Sequence, residues 1–145
     1  MTKSILVLEN IVLNKTLANK EDAILQTGKL LVDNGYVTDS YIDKMLEREA
    51  MSTTYMGNFV AIPHGTDQAK SEVLHSGISF IQVPAGVDFG NGNIVKLLIG
   101  IAGKNNEHLD ILSQIAIVCS EEENIDRLVQ ASSKEEILQI FNEVN

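Results

Sequence analysis

The sequence predicts an α/β fold: a single domain over residues 1–145, built in three layers, with a mixed, mainly parallel sheet flanked by helices on both sides. Three observations predict it. Segments with helical apolar spacing interleave with short apolar runs along the whole chain. No linker, repeat or low-complexity segment separates them. The most apolar run, Ile94 to Ala102, reads as a central strand covered on both faces. Strand order cannot be read at this level.

The elements follow in order. Ile5 to Leu13 reads as a strand entering the core. Asn19 can cap the next helix, with Glu21 and Asp22 in its positive first turn. Ala23, Ile24, Thr27, Leu30 and Leu31 recur at helical spacing, and Asn34-Gly35 permits a left-handed exit. A second helix starts near Thr38 to Ser40. Tyr41, Ile42, Met45 and Leu46 form its apolar face, and Arg48 lies in its last turn.

Phe59 to Ile62 reads as a buried strand stopped by Pro63, which has no N–H to donate to a ladder. Gly77 to Val83 alternates and stops at Pro84, and Val87 to Phe89 is a short further piece. Gly90-Asn91-Gly92-Asn93 is a strong turn signal before the central strand. After it, Gly103 to Asn106 forms a loop in which either asparagine can cap the next helix. That helix has two adjacent apolar faces, Leu109, Leu112, Ala116, Cys119 and Ile111, Ile115, Val118, which predicts thorough burial. Ser120 with Glu123 spells a capping box for a helix through Leu128 and Val129. Ser133 with Glu136 spells another, ahead of Ile137, Leu138, Phe141 and Val144.

Composition narrows the function. Eleven basic against twenty acidic residues give a net charge of −9, which argues against nucleic-acid or anionic-membrane binding. A partner with a positive face is compatible with it. Cys119 is the one cysteine, so no internal disulfide forms, which fits a reducing cytoplasm. The start, Met1 to Ser4, leads into an apolar run too short for a signal peptide or a membrane span.

Chemistry centres on the histidines. His64 follows a buried strand and Pro63, and Gly65 lets the chain turn away. His108 opens a helix after the loop that leaves the most buried strand. In open α/β sheets ligands bind at such edges, so the two meet if their strands run the same way. His75 lies in the polar connection Ser71 to Ser76 and reads as solvated.

His64, His108 and Cys119 offer no short metal-ligand spacing, so no metal is expected. No G-x-S-x-G or equivalent supports acyl transfer. Phosphoryl capture on an imidazole remains, because neutral imidazole is nucleophilic at physiological pH. Arg48 can supply a permanent bidentate cation, and the helix opening near His108 can supply free N–H groups. No glycine-rich nucleotide loop is present, so the donor is not expected to be ATP, and no cofactor is expected. Blander roles stay open: a helix-end cation for Arg48, a first-turn polar residue for His108, and a turn residue for Asp67.

These residues carry a resemblance. Val60-Ala61-Ile62-Pro63-His64-Gly65 is similar to the phosphohistidine signature of the EIIA components of the bacterial sugar phosphotransferase system, in the mannitol–fructose family. Tyr41 with Arg48-Glu49, and Glu107-His108-Leu109 with Leu112, resemble the family's other motifs. Gly103 to Asn106 departs from its glycine-rich loop.

The resemblance implies phosphorylation of His64 on Nε2, with Arg48 and His108 flanking the phosphoryl group. It implies HPr as donor, a cysteine of the EIIB domain of the mannitol permease as acceptor, and a cytoplasmic location. It also implies a mixed sheet with helices on both sides. The alternatives are a fructose-type or other polyol system, a regulatory, non-transport EIIA, or a phosphate-sensing binding module.

Overall fold

The computed structural model describes residues 5–105 and 107–143. Met1 to Ser4, the Asn106 cap and the Val144 position of the last helix lie outside them. The strands are β1 (Ile11–Val12), β2 (Tyr55–Gly57), β3 (Val60–Ala61), β4 (Gly77–Asp88) and β5 (Ile94–Ala102). The helices are α1 (Lys20–Asp33), α2 (Ser40–Met51), α3 (Glu107–Cys119), α4 (Glu122–Gln130) and α5 (Lys134–Glu143). The sheet runs in the order β1-β4-β5-β3-β2 and is mixed. β1 with β4 and β3 with β5 are parallel; β4 with β5, the longest ladder, and β2 with β3 are antiparallel.

Alternation along β5 explains the layers. Leu97, Ile99 and Ile101 face Ile111, Ile115, Leu128 and Ile137 of the last three helices. Leu98 and Ala102 face Ile24, Leu31 and Met45 of α1 and α2. A strand covered on both faces can be apolar throughout, as β5 is. At Gly100 the cover is tightest: a Cβ there would lie 2.5 Å from both Thr27 Cγ2 and Ser79 Oγ.

Helix ends follow their local chemistry. Asn19 Oδ1 accepts from the N–H of Asp22 at 2.8 Å and starts α1. At its other end Gly35 has φ +81°, and the N–H groups of Gly35 and Tyr36 return to Val32 and Leu31. Ser133 Oγ accepts from the N–H of Glu136 at 3.2 Å and caps α5 as predicted.

Several expectations are corrected. The first strand is two residues long, because a 3-10 turn at Leu8–Asn10 interrupts it. That turn is pinned by Asn10, buried and donating to the Ile78 carbonyl at 3.1 Å. Pro84 does not stop its strand. β4 continues to Asp88 through an irregularity between Gln82 and Val87, where a missing N–H leaves no ladder bond unmade. Phe59 lies in a turn, not a strand: Asn58 and Phe59 both have positive φ and close a hairpin onto β2, which the sequence reading missed. Ser120 does not cap α4; its hydroxyl turns back to the Ile117 carbonyl, and Glu121 holds the cap position. Finally, α3 is buried on one face only. Ile111, Ile115, Val118 and Cys119 face the core, while Leu109 is 71% exposed and Ile117 54%.

Candidate functional site

The parallel pairing of β3 with β5 decides the site. Parallel neighbours end at the same edge of a sheet, so the chain leaving β3 and the chain leaving β5 emerge together. Pro63 and His64 continue beside β5, with the N–H of Ile101 donating to the Pro63 carbonyl at 3.0 Å. His108 arrives from the other chain. The two imidazole rings stand 5.1 Å apart, tilted by 54°. His75 is exposed and belongs to neither.

His64 is half-buried and held by its own backbone. Its Nδ1 lies 2.8 Å from the carbonyl of Ile62. A carbonyl only accepts, so Nδ1 carries the proton and Nε2 is the free nitrogen. Burial lowers the His64 pKa below its ordinary 6.5, opposed by the bond to Ile62 and reinforced by the Arg48 charge. Glu49 and Asp67 pull it back up. His108 is also lowered, first by burial, then by the facing His64; Asp67 raises it and Lys70 lowers it.

Both rings therefore hold a proton less readily than a free histidine does. Just below pH 6.5 the unfolded chain binds more protons than the folded one, so stability rises with pH through that window. Urea unfolding should thus give a lower midpoint at about pH 5.5 than at about pH 7.5, with an unchanged slope. A His64→Gln, His108→Gln double variant should lose most of that dependence.

Arg48 sits where the sequence places it, in the last turn of α2. Its Nη1 donates to the Ser52 carbonyl at 2.8 Å and to Ser52 Oγ at 3.1 Å. So it does cap its helix, as the bland reading held, and it is also near enough to depress His64. Asp67 opens the 3-10 helix Asp67–Glu72, lies exposed, and its charge reaches both rings. A cleft of about 330 Å³ flanks His108, lined among others by Tyr41, Gly65, Thr66, Lys70 and Asn105. Leu109, beside His108 on α3 and lining the same cleft, is an exposed apolar side chain of the site.

Glu49 has a place the sequence reading did not assign. Its buried carboxylate accepts from the Thr54 N–H at 3.0 Å and the Thr54 hydroxyl at 2.6 Å, with Lys20 Nζ at 3.7 Å. It fixes the short link between α2 and β2. The available signal was an acid in a last helical turn, on the same face as Tyr41 and Met45, where the dipole disfavours it. Cys119 lies in the core away from this edge, its thiol pushed up to about 12 by burial. Among the described residues no group of three or more His, Cys, Asp or Glu is arranged to hold a metal. No described helix is long and apolar enough to cross a membrane.

The arrangement presents one unprotonated imidazole nitrogen on a ring that stands beside a second imidazole and feels the charge of Arg48. Comparison with known proteins agrees in kind. Residues 4–144 match the family described as phosphoenolpyruvate-dependent sugar phosphotransferase system, EIIA 2. The chain is 68% identical over 145 residues to a mannitol-specific phosphotransferase enzyme IIA component of Geobacillus stearothermophilus, covering 100% of both. It resembles the crystal structure of IIA mannitol from Escherichia coli, with TM-score 0.88, 42% identity, and 94% of this chain and 98% of that one covered. It resembles equally the IIA chain in a complex of enzyme IIA mannitol with phosphorylated enzyme IIB mannitol from Escherichia coli, with TM-score 0.88, 39% identity, and 95% and 97% covered. The chain belongs to the EIIA 2 family of the phosphoenolpyruvate-dependent sugar phosphotransferase system and is a phosphotransferase component of it.

Proposed function

We propose that this chain carries phosphoryl groups on Nε2 of His64 within a mannitol phosphotransferase system, in the cytoplasm, with residues 1–145 acting as one EIIA unit. Phospho-HPr is the donor, and a cysteine of the EIIB domain of the mannitol permease is the acceptor. One observation carries the reading: the Nδ1 bond to Ile62 leaves Nε2 unprotonated, on a ring whose centre lies 5.1 Å from that of His108. The names of the relatives support the sugar, and the complex with phosphorylated enzyme IIB supports the acceptor.

The chemistry balances in two steps. The Nε2 lone pair attacks phosphorus while the P–N bond of phospho-HPr breaks, its electron pair returning to the HPr imidazole. The EIIB thiolate then attacks phosphorus, and the pair of the new P–N bond returns to His64. Such displacement asks chiefly for alignment and charge stabilisation. Arg48 answers the equatorial oxygens through a planar cation, and His108 donates a hydrogen bond. A transfer assay onto purified EIIB tests the whole reading. Rapid passage of label supports a carrier; phosphate binding without passage would leave a sensor instead.

Two substitutions separate the supporting roles. His108→Ala should still accept phosphate at His64 but pass it on about 10²-fold more slowly, and His108→Gln should recover part of the rate. Arg48→Lys should be slower than wild type and Arg48→Ala slower again, because lysine keeps charge but not the fork. Arg48→Ala also removes two bonds to Ser52, so its unfolding midpoint is measured alongside. Full transfer rates in a folded Arg48→Ala protein would reduce Arg48 to its helix cap.

A further inference from the structure

A buried phenol has one proton to give and lone pairs to accept with, and both need partners. Tyr41, near the start of α2, is 3% exposed. Its hydroxyl donates to the carbonyl of Ile101 at 2.8 Å and accepts from the N–H of Gly65 at 2.9 Å. The directions are forced, since a carbonyl only accepts and an amide N–H only donates. The same Ile101 donates its own N–H to the Pro63 carbonyl at 3.0 Å. One residue of β5 therefore grips the chain on both sides of His64: directly at Pro63, and through the phenol at Gly65.

The ring reinforces the hydroxyl. It packs so closely under Gly65 that a Cβ there would lie 2.7 Å from Tyr41 Cε1. Burial raises the Tyr41 pKa, so the phenol keeps its proton and its donor role. Both hydrogen-bonding directions are already taken, so this hydroxyl is not a partner for a phosphoryl oxygen. Gly65 itself has no side chain with which to hold the turn. Because Nδ1 of His64 is tied to Ile62, the aim of the ring is inherited from the backbone of residues 62–65.

We infer that Tyr41 is a positioning residue for phosphoryl transfer: its hydroxyl locks the chain after His64 onto β5, while its helix carries Arg48 about two turns further on, so one side chain sets the imidazole against the guanidinium. This rests on the reading of His64 as the carrier. A misaimed nucleophile loses rate rather than affinity, because the docking surface is untouched.

The test compares three variants, with transfer from labelled protein to EIIB measured as kcat and KM. Tyr41→Phe should lower kcat about tenfold to a hundredfold, with KM nearly unchanged. Nitrogen NMR of the His64 ring should show its single Nδ1–H tautomer giving way to a mixture. Tyr41→4-aminophenylalanine keeps the shape and the donor and accepts poorly, so it should fold and fall between Tyr and Phe. Met45→Ala, buried in the same core at 1% exposure, should lose stability and keep its kcat.

A Tyr41→Phe or 4-aminophenylalanine protein with wild-type kcat and an unchanged tautomer overturns the inference. So does a Met45→Ala protein slowed as much as Tyr41→Phe, which would make stability the cause. A wild-type chain that takes no label at His64 sinks the parent reading and this one together; a labelled wild type beside an unaffected Tyr41→Phe sinks this one alone.

Discussion

His64→Ala should take up no phosphoryl group from phospho-HPr, whereas the native chain should take up a single one that is labile to acid and stable to base. The expectation follows from where the three histidines stand. Among the described residues, His64 is the histidine with one ring nitrogen tied to a backbone carbonyl and the other left free, with Nδ1 2.8 Å from Ile62. Burial lowers the pKa of that ring below its ordinary 6.5 and so favours the uncharged, nucleophilic form. His108 faces it at 5.1 Å between ring centres, near enough to assist but without such a tether. His75 is exposed, far from that pairing in both setting and role, and His75→Ala should label as the native chain does. Mass spectrometry of the intact proteins, before and after acid treatment, reads the result directly. Label retained by His64→Ala, or found on His75 or His108 of the native chain, would end the mechanism.

Gln82→Leu should cost about 3 kcal/mol or more of folding stability, a large share of what a domain of this size commands. Gln82 is 2% exposed in β4, at the end of the regular ladder with β5. Its Nε2 donates to the carbonyls of Leu128 and Ala131, each at 2.9 Å. Its Oε1 accepts from the N–H of Asn14 at 2.9 Å. One side chain thus closes the C-terminal end of α4 and the chain after β1 onto the sheet. Leucine fills the same space and bonds to nothing, so two carbonyls and an amide lose their partner. The effect is read from the urea midpoint at constant slope. Because the site edge lies elsewhere, phosphoryl transfer by the folded fraction should stay near the native rate. A shift below about 1 kcal/mol would mean that water replaces the lost partners.

The sequence by itself determined the kinds of element and the chemistry they carry. Helical spacing placed α1 and α2, Asn19 and Gly35 marked where α1 starts and ends, and the length and apolarity of Ile94 to Ala102 placed β5 at the centre. Such signals are local, or depend only on burial, and a residue carries its propensity wherever the chain goes. The candidates His64, His108 and Arg48 were legible for a similar reason: an imidazole after a strand-ending proline, an imidazole at a helix start, a guanidinium in a last turn.

Only the tertiary structure decided how these parts meet. The parallel pairing of β3 with β5 joins residues far apart in the chain, and it turns two separate histidines into one site. A buried Asn10 shortened β1 by bonding across to Ile78, and a break in the β4 ladder let the strand run on through Pro84. Leu109 and Ile117 stayed exposed because α3 has the sheet on one side and nothing among the described residues covers the other. Tyr41 read as a helix-face residue and Glu49 had no assigned place until their partners, Gly65, Ile101 and Thr54, came within reach. Each of these outcomes rests on a hydrogen bond or packing contact between segments whose proximity exists only after folding, which no local propensity encodes.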